Sequence, residues 1–290
     1  MKHIHELDLS SALAEIPALP ERSPIPKMIY QTCRSVRDLP SEVLENIETI
    51  KRMNPDWGYE LYENNNFDTF IAETYGPNIL AFLHRINPLY GVAKADLFRY
   101  LLLYVRGGVY LDIKSTTTRP LNESLLTEDR YILSYWQNQP GERFEGFGRI
   151  IEGRHVDDRE LQQWHIIAAP GHRFLRGVIE TVLSNIYNYD SWRFKTGFKG
   201  VHATTGPWAY TRAIRPLISA DNCRIVENET MVGLGYAIYE DRFEHHKFGG
   251  IHYSTRPQPV VIHPGMRMIR AKVYEWMKRF RVLVREGAVG

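Results

Sequence analysis

The chain of 290 residues lacks most marks of a secreted or membrane-spanning protein. It has two cysteines, Cys33 and Cys223, far apart and in no metal-ligand spacing, which argues against a disulfide framework and for a reducing compartment. No run approaches the roughly 18 to 20 apolar residues that cross a bilayer. The opening stretch MKHIHELDLSSALAEIPALPERSPI has neither the basic start nor the unbroken apolar core of a signal peptide. A net charge of +2 gives no global reason to expect a nucleic-acid partner, and none is expected. Internal repeats and low-complexity tracts are absent as well. The expectation is a soluble or peripherally bound protein of the cytoplasm or of the inner face of the cell membrane.

What is present is an ordinary globular composition, 43% hydrophobic and 24% charged, rich in aromatics at 12%. Residues 1–24 read as a loosely packed arm, 25–265 as one domain and 266–290 as a separate basic helix. IPKMIYQTC (25–33) turns apolar after a proline, as a buried first strand does. SEVLENIETIKRMNP (41–55) has helical spacing, with Ser41 as the expected N-cap. GYELYE (58–63) reads as a second strand, and helical segments follow from about 66 to 86. In GVAKADLFRYLLLYVRGG, Val92, Ala95, Phe98, Leu102 and Val105 form a helical stripe, and Gly107 or Gly108 supplies the left-handed cap before VYLDI resumes as a strand. Further on, RYILSYW (130–136) reads as a strand, 138–158 as a polar loop and 174–189 as a helix. Strand, helix, strand in this order predicts an α/β fold with a mostly parallel central sheet flanked by helices.

Ligands bind beyond the carboxyl ends of strands in such sheets, and Asp112 stands at such an end. Asp96 and Arg99 are three apart on the preceding helix and can meet on one face. An exposed ion pair worth about 0 to 1 kcal/mol is the ordinary reading of that spacing. The two-glycine turn, however, brings helix and strand to one edge, and Asp96 with Asp112.

ADLFRYLLLYVRGGVYLD closely resembles the sugar-nucleotide-binding signature of glycosyltransferase family 32 and its relatives in bacterial capsular polysaccharide synthesis. IPKMIYQTC resembles the family's opening strand, TTGPWAYTRAI (204–214) its Thr-Gly-Pro segment, and HHKFGG (245–250) its histidine-and-glycine element. These matches fall in the family's order across residues 25–253. The resemblance implies a GT-A-type nucleotide-sugar-binding fold, a UDP- or GDP-sugar donor, and transfer with retention to a glycan or glycolipid acceptor. A surface polysaccharide (capsule or lipopolysaccharide) is the implied product. It also implies that Gln31 and Thr32 lie by the nucleotide, that Asp96 and Arg99 hold the donor sugar, and that Gly107, Gly108 and Tyr110 belong to the donor site. Asp112 becomes the first acid of the Asp-x-Asp motif, His246 (or His245) lies near the diphosphate, and Thr205, Gly206, Pro207 and Trp208 shape the acceptor pocket, Trp208 as a sugar platform.

The second acid of the motif is replaced by Lys114. Negative charge grows on the leaving diphosphate, and most GT-A enzymes meet it with Mn²⁺ or Mg²⁺ held by carboxylates. Here a principal metal ligand is lost and a positive charge stands in its place. Either the Lys114 ammonium does the ion's electrostatic work, with Asp112 and Asp96 as the other catalytic acids, or the protein binds a sugar nucleotide or glycan without turnover. A nucleotide-sugar hydrolase is a further alternative, and a metal held by Asp112 and His246 remains open. His202, His252 and His263 match no ligand spacing and read as ordinary hydrogen-bonded residues. In Met266–Arg285 there are seven Lys or Arg and one acid, Glu275, while Ile269, Val273, Trp276, Met277, Phe280 and Val284 recur at helical steps. Packing of this stripe on the domain's own core and docking on an anionic membrane are both compatible with the pattern.

Overall fold

The computed structural model describes residues 6–21, 24–148, 150–151, 154–155, 159–219, 223–239 and 252–287. Its strands are β1 (Met28–Cys33), β2 (Gly58–Glu63), β3 (Gly108–Leu111), β4 (Thr116–Thr117), β5 (Tyr131–Ser134), β6 (Ile150–Ile151), β7 (Arg154–His155), β8 (His165–Ala168), β9 (Arg224–Val226) and β10 (Leu234–Gly235). Its helices are α1 (Leu9–Ala14), α2 (Ser41–Met53), α3 (Phe67–Thr74), α4 (Pro77–Arg85), α5 (Gly91–Arg106), α6 (Arg173–Tyr187), α7 (Ser191–Phe194), α8 (Gly197–Thr204), α9 (Pro207–Ile214) and α10 (Met266–Gly287).

The central sheet runs β2-β1-β3-β8-β5-β9. β1 is parallel to both β2 and β3, and β5 is parallel to β9, while β8 is antiparallel to its neighbours β3 and β5. The expected α/β architecture with a mostly parallel sheet is therefore present, with one reversed strand in its middle. The alternation of strand side chains splits the core in two. Ile29, Val109, Leu111, Ile132 and Ile167 face the cluster that includes Ile50 of α2. Tyr30, Tyr110, Tyr131, Leu133 and Ile166 face the larger cluster built with α3 to α6, α8 and α9.

Helix α5 departs from the expected single stripe. Val92, Ala95 and Val105 are only half-buried, whereas Ala93 and every residue from Asp96 to Tyr104 are buried. The sheet, α6 and α8 enclose it on several sides, so apolar periodicity no longer marks one inner face. At its end Gly107 (φ 64°) and Gly108 (φ 108°) both take positive φ, and a Cβ on Gly108 would lie 2.7 Å from the Met28 carbonyl oxygen. This close approach lets β3 pair with β1 immediately after the helix.

Three other expectations are revised. Pro40, in extended conformation, is the N-cap of α2, and Ser41 is its first helical residue. The arm is not loosely packed in its described part, because Leu7, Ala12 and Ile16 are buried in the larger core cluster. Asp8 caps α1, and the Glu15 carboxylate accepts from the Asn78 and Ile79 backbone amides at the start of α4 (3.0 and 2.8 Å). The loop expected over 138–158 contains the two-residue strands β6 and β7, which pair antiparallel.

Candidate active site

Asp112 follows β3 directly and is held by its backbone. Its amide donates to the Trp164 carbonyl (2.8 Å), prolonging the β3–β8 ladder by one residue. Its carbonyl accepts from Ser115 N (2.8 Å), closing a turn over Asp112–Ser115, and from Gln31 Nε2 (3.0 Å). Aspartate commonly opens such turns. Gln31 is fully buried and is fixed by Tyr59, whose hydroxyl donates to Gln31 Oε1 (2.7 Å). It therefore buttresses the turn rather than lining a nucleotide site. Thr32 shares a hydrogen bond with the Tyr110 hydroxyl (2.9 Å), which reaches Asp112 Oδ1 at 3.4 Å.

Arg99 ties helix to strand. One guanidinium nitrogen lies 3.0 Å from Asp112 Oδ1 and donates to the Gln163 carbonyl (3.0 Å); another lies 3.4 Å from Asp96 Oδ1. Its plane covers the Tyr110 ring at 4.4 Å. Asp96 in turn accepts from Gln163 Nε2 (2.9 Å) at Oδ1 and from the Thr205 hydroxyl (2.9 Å) at Oδ2. The side chains of Asp96 and Arg99 are 3% and 4% exposed, against 29% for Asp112. This is a buried network and not the exposed ion pair that the spacing alone suggests. Burial raises the Asp96 pKa, with Arg99, Gln163 and Thr205 pulling the other way. Burial opposes the charge on Arg99, but Tyr110, Asp112 and Asp96 outweigh it and its pKa rises. For Asp96 to touch a donor sugar, Gln163 or Thr205 would have to release it. In this arrangement Asp96 is a positioning residue for Arg99, and Arg99 for Asp112.

Lys114 occupies the turn beside Asp112. The β4–β10 pairing (Thr117 opposite Leu234, Thr116 opposite Gly235) draws the following chain alongside. Ser115 Oγ then donates to the Tyr236 carbonyl (2.8 Å), and Ile238 N donates to the Lys114 carbonyl (2.9 Å). Lys114 Nζ consequently donates to the Tyr236 hydroxyl (2.8 Å) and lies 4.1 Å from that ring's centroid. Tyr236 belongs to an aromatic wall with Trp136, Phe144 and Trp164, ring centroids 5.1 to 5.5 Å away. Burial lowers the Lys114 pKa to about 8, opposed by Asp112 and reinforced by Arg99.

These groups do not fit a divalent cation. Asp112 is engaged by Arg99, the next acid position carries an ammonium, and no cluster of three or more His, Cys, Asp or Glu suited to a metal exists among the described residues. His245 and His246 lie outside the described residues. His202, His252 and His263 have the ordinary roles expected of them, bonded to the Phe198 carbonyl, Ser254 Oγ and the Ile186 carbonyl.

The Thr-Gly-Pro segment is not a simple turn. It joins α8 to α9, with Gly206 as N-cap and Pro207 opening the second helix. Thr205 reaches Asp96, and its carbonyl accepts from Tyr100 (2.8 Å). Trp208 is 6% exposed and packs beside His202 (5.6 Å), so it presents no open platform. It hydrogen-bonds with Glu160, which also accepts from Trp136 Nε1 (3.2 Å). Burial lifts the Glu160 pKa to about 7, while the two indole bonds lower it. Sequence reading missed Glu160, Gln163, Trp164 and Tyr236. The apolar His165–Ala168 run was the available signal, since a strand there places Arg159–Trp164 at the carboxyl edge of the parallel strands.

A strand-end acid that follows a two-glycine turn, is locked to a helical Arg–Asp pair and sits on a mostly parallel sheet stands where ligands bind in such folds. Residues 40–132 match the family described as "Glycosyltransferase sugar-binding region containing DXD motif". Initiation-specific alpha-1,6-mannosyltransferase of Candida albicans is 29% identical over 179 residues, 56% of this chain and 43% of the relative. The protein of the same name from Schizosaccharomyces pombe is 25% identical over 240 residues, 74% of this chain and 56% of the relative. Inositol phosphoceramide mannosyltransferase 1 of Schizosaccharomyces pombe is 28% identical over 130 residues, 44% of this chain and 39% of the relative. The chain thus spans about half the length, or somewhat less, of these curated relatives.

Proposed function

We propose that the protein is a retaining glycosyltransferase that moves a hexose from a UDP- or GDP-sugar to a glycan or glycolipid acceptor. The observation that carries this reading is the placement of Lys114 and the Arg99-locked Asp112 in one turn within the DXD-motif region. In the reaction the bond between the sugar's anomeric carbon and the diphosphate oxygen breaks, and a bond from that carbon to an acceptor hydroxyl oxygen forms. The hydroxyl proton leaves with the diphosphate, and the Lys114 ammonium stabilises the charge developing there. Asp112, oriented by Arg99, faces the donor. The Trp164 indole N–H, buried and without a partner among the described residues, is a donor available to a ligand oxygen in the wall beside Tyr236.

Mannose is the first sugar to test, because the similar proteins are named mannosyltransferases, one of them acting on inositol phosphoceramide. A surface polysaccharide or glycolipid made at the cytoplasmic side of a membrane belongs to the same proposal. The test is a panel of UDP- and GDP-hexoses, with and without acceptor and chelator. Acceptor-dependent product supports transfer, turnover to free sugar alone points to a hydrolase, and saturable binding without turnover refutes the enzymatic reading.

A further inference from the structure

Helix α10 is unlike the other helices in what it leaves uncovered. One side of it is fixed to the domain. Arg267 donates to the Tyr187 carbonyl (2.6 Å), Arg270 pairs with Asp190 (2.9 Å), Lys278 donates to Thr196 Oγ1 (2.8 Å), and the Tyr274 ring meets Trp192 edge-on at 5.2 Å. Met266, Ile269, Val273, Trp276 and Phe280 recur at alternating steps of three and four and therefore share another side. All five are exposed, from 47% at Val273 to 71% at Met266, with Trp276 at 65%. The stripe is thus not packed on the domain's own core.

The charge around the stripe decides what can cover it. Arg270, Lys272 and Arg279 flank it, and Glu275, paired with Arg279 (2.5 Å), is the only acid between Met266 and Arg285. A second copy of the helix laid on this seam would bring these basic flanks against each other, where paired helices normally place opposite charges. An anionic lipid surface takes the same flanks favourably. Tryptophan and phenylalanine on the apolar side, with Lys and Arg beside them, are the composition of helices that lie in a membrane interface. No helix among the described residues is long and apolar enough to cross a membrane, so contact through α10 would be at the surface.

We propose that α10 docks the protein reversibly on anionic membranes, its Met266–Phe280 stripe in the headgroup region and its basic flanks on lipid phosphates. The inference stands on the helix alone and does not depend on the transferase chemistry. The test is co-sedimentation of the full chain with phosphatidylcholine vesicles and with vesicles also containing phosphatidylserine. Binding is expected only to the anionic vesicles and weakens as salt rises. Lys272→Ala with Arg279→Ala should lower the partition coefficient about thirtyfold, roughly fivefold for each charge. Trp276→Ala with Phe280→Ala should abolish measurable binding, while thermal melting of both variants, altered only on the surface, stays as in the parent. Absence of binding to either vesicle by the folded parent overturns the proposal. So does concentration-dependent dimerisation that Trp276→Asp removes, which would make a second copy the occupant.

Discussion

Replacing Lys114 by methionine keeps an unbranched apolar side chain and removes the ammonium together with its hydrogen bond to the Tyr236 hydroxyl. If that charge meets the leaving diphosphate, turnover should fall by roughly a hundredfold to a thousandfold, the scale for losing one aimed donor at a developing oxyanion. If the Lys114 ammonium does the work of an ion, the parent's activity should largely survive chelator, and chelator should not change the size of the Lys114→Met defect. The pH profile makes the assignment specific. With a pKa lowered to about 8, the ammonium is roughly nine-tenths protonated at pH 7 and only about one-tenth at pH 9. The protonated form is the active one, so kcat/KM should fall about tenfold over that interval. Bound donor, being anionic, raises the pKa, so the fall in kcat should come at higher pH than the fall in kcat/KM. Lys114→Arg holds its charge throughout and should lose the descending limb even if its absolute rate is lower. Steady-state rates with the preferred sugar nucleotide across this range, in chelated buffer, decide the matter. A Lys114→Met enzyme near the parent's rate, or a descending limb that persists in both variants, would refute the reasoning.

Asp112→Asn should reduce transfer by at least a hundredfold while circular dichroism stays unchanged; near-normal turnover would remove this strand end from the donor site. Asp96→Asn leaves the buried Arg99 short of a partner and should cost about 3 to 5 kcal/mol in urea unfolding; a loss under 1 kcal/mol would show that Asp96 is not ionised there. Glu160 has a folded pKa raised from 4.5 to about 7, so its contribution to stability is fully present below about pH 4.5 and is lost as pH rises through about 7. Glu160→Gln removes that dependence and should be more stable than the parent by about 3 kcal/mol near pH 8, with little difference near pH 4, as measured by denaturant midpoints at the two pH values.

The local order of the first half of the chain was legible because the signals were local. β1, α2, β2, the helices from Phe67 to Arg85, and the passage from α5 through two glycines into β3 follow from periodicity and from positions that only glycine tolerates. Asp112 at a strand end, Lys114 two residues on and the Asp96–Arg99 spacing were equally plain. Spacing could not say how deep the pair would lie. Burial of Asp96 and Arg99 comes from β8, whose reversed direction brings Gln163 against both, and from Thr205 arriving between α8 and α9. Other distant contacts, with Tyr59 and the Asp112 carbonyl, turned Gln31 from an expected nucleotide neighbour into a support for the Asp112 turn, and one with Glu160 turned Trp208 from a platform into a buried partner. On α10 the apolar stripe and its basic flanks were already determined by residue spacing, since helical geometry alone sets which residues share a side. Whether that stripe met the core or the solvent depended on which side the ion pair to Asp190 and the bond to Thr196 would hold against the domain, and only the tertiary structure decided that.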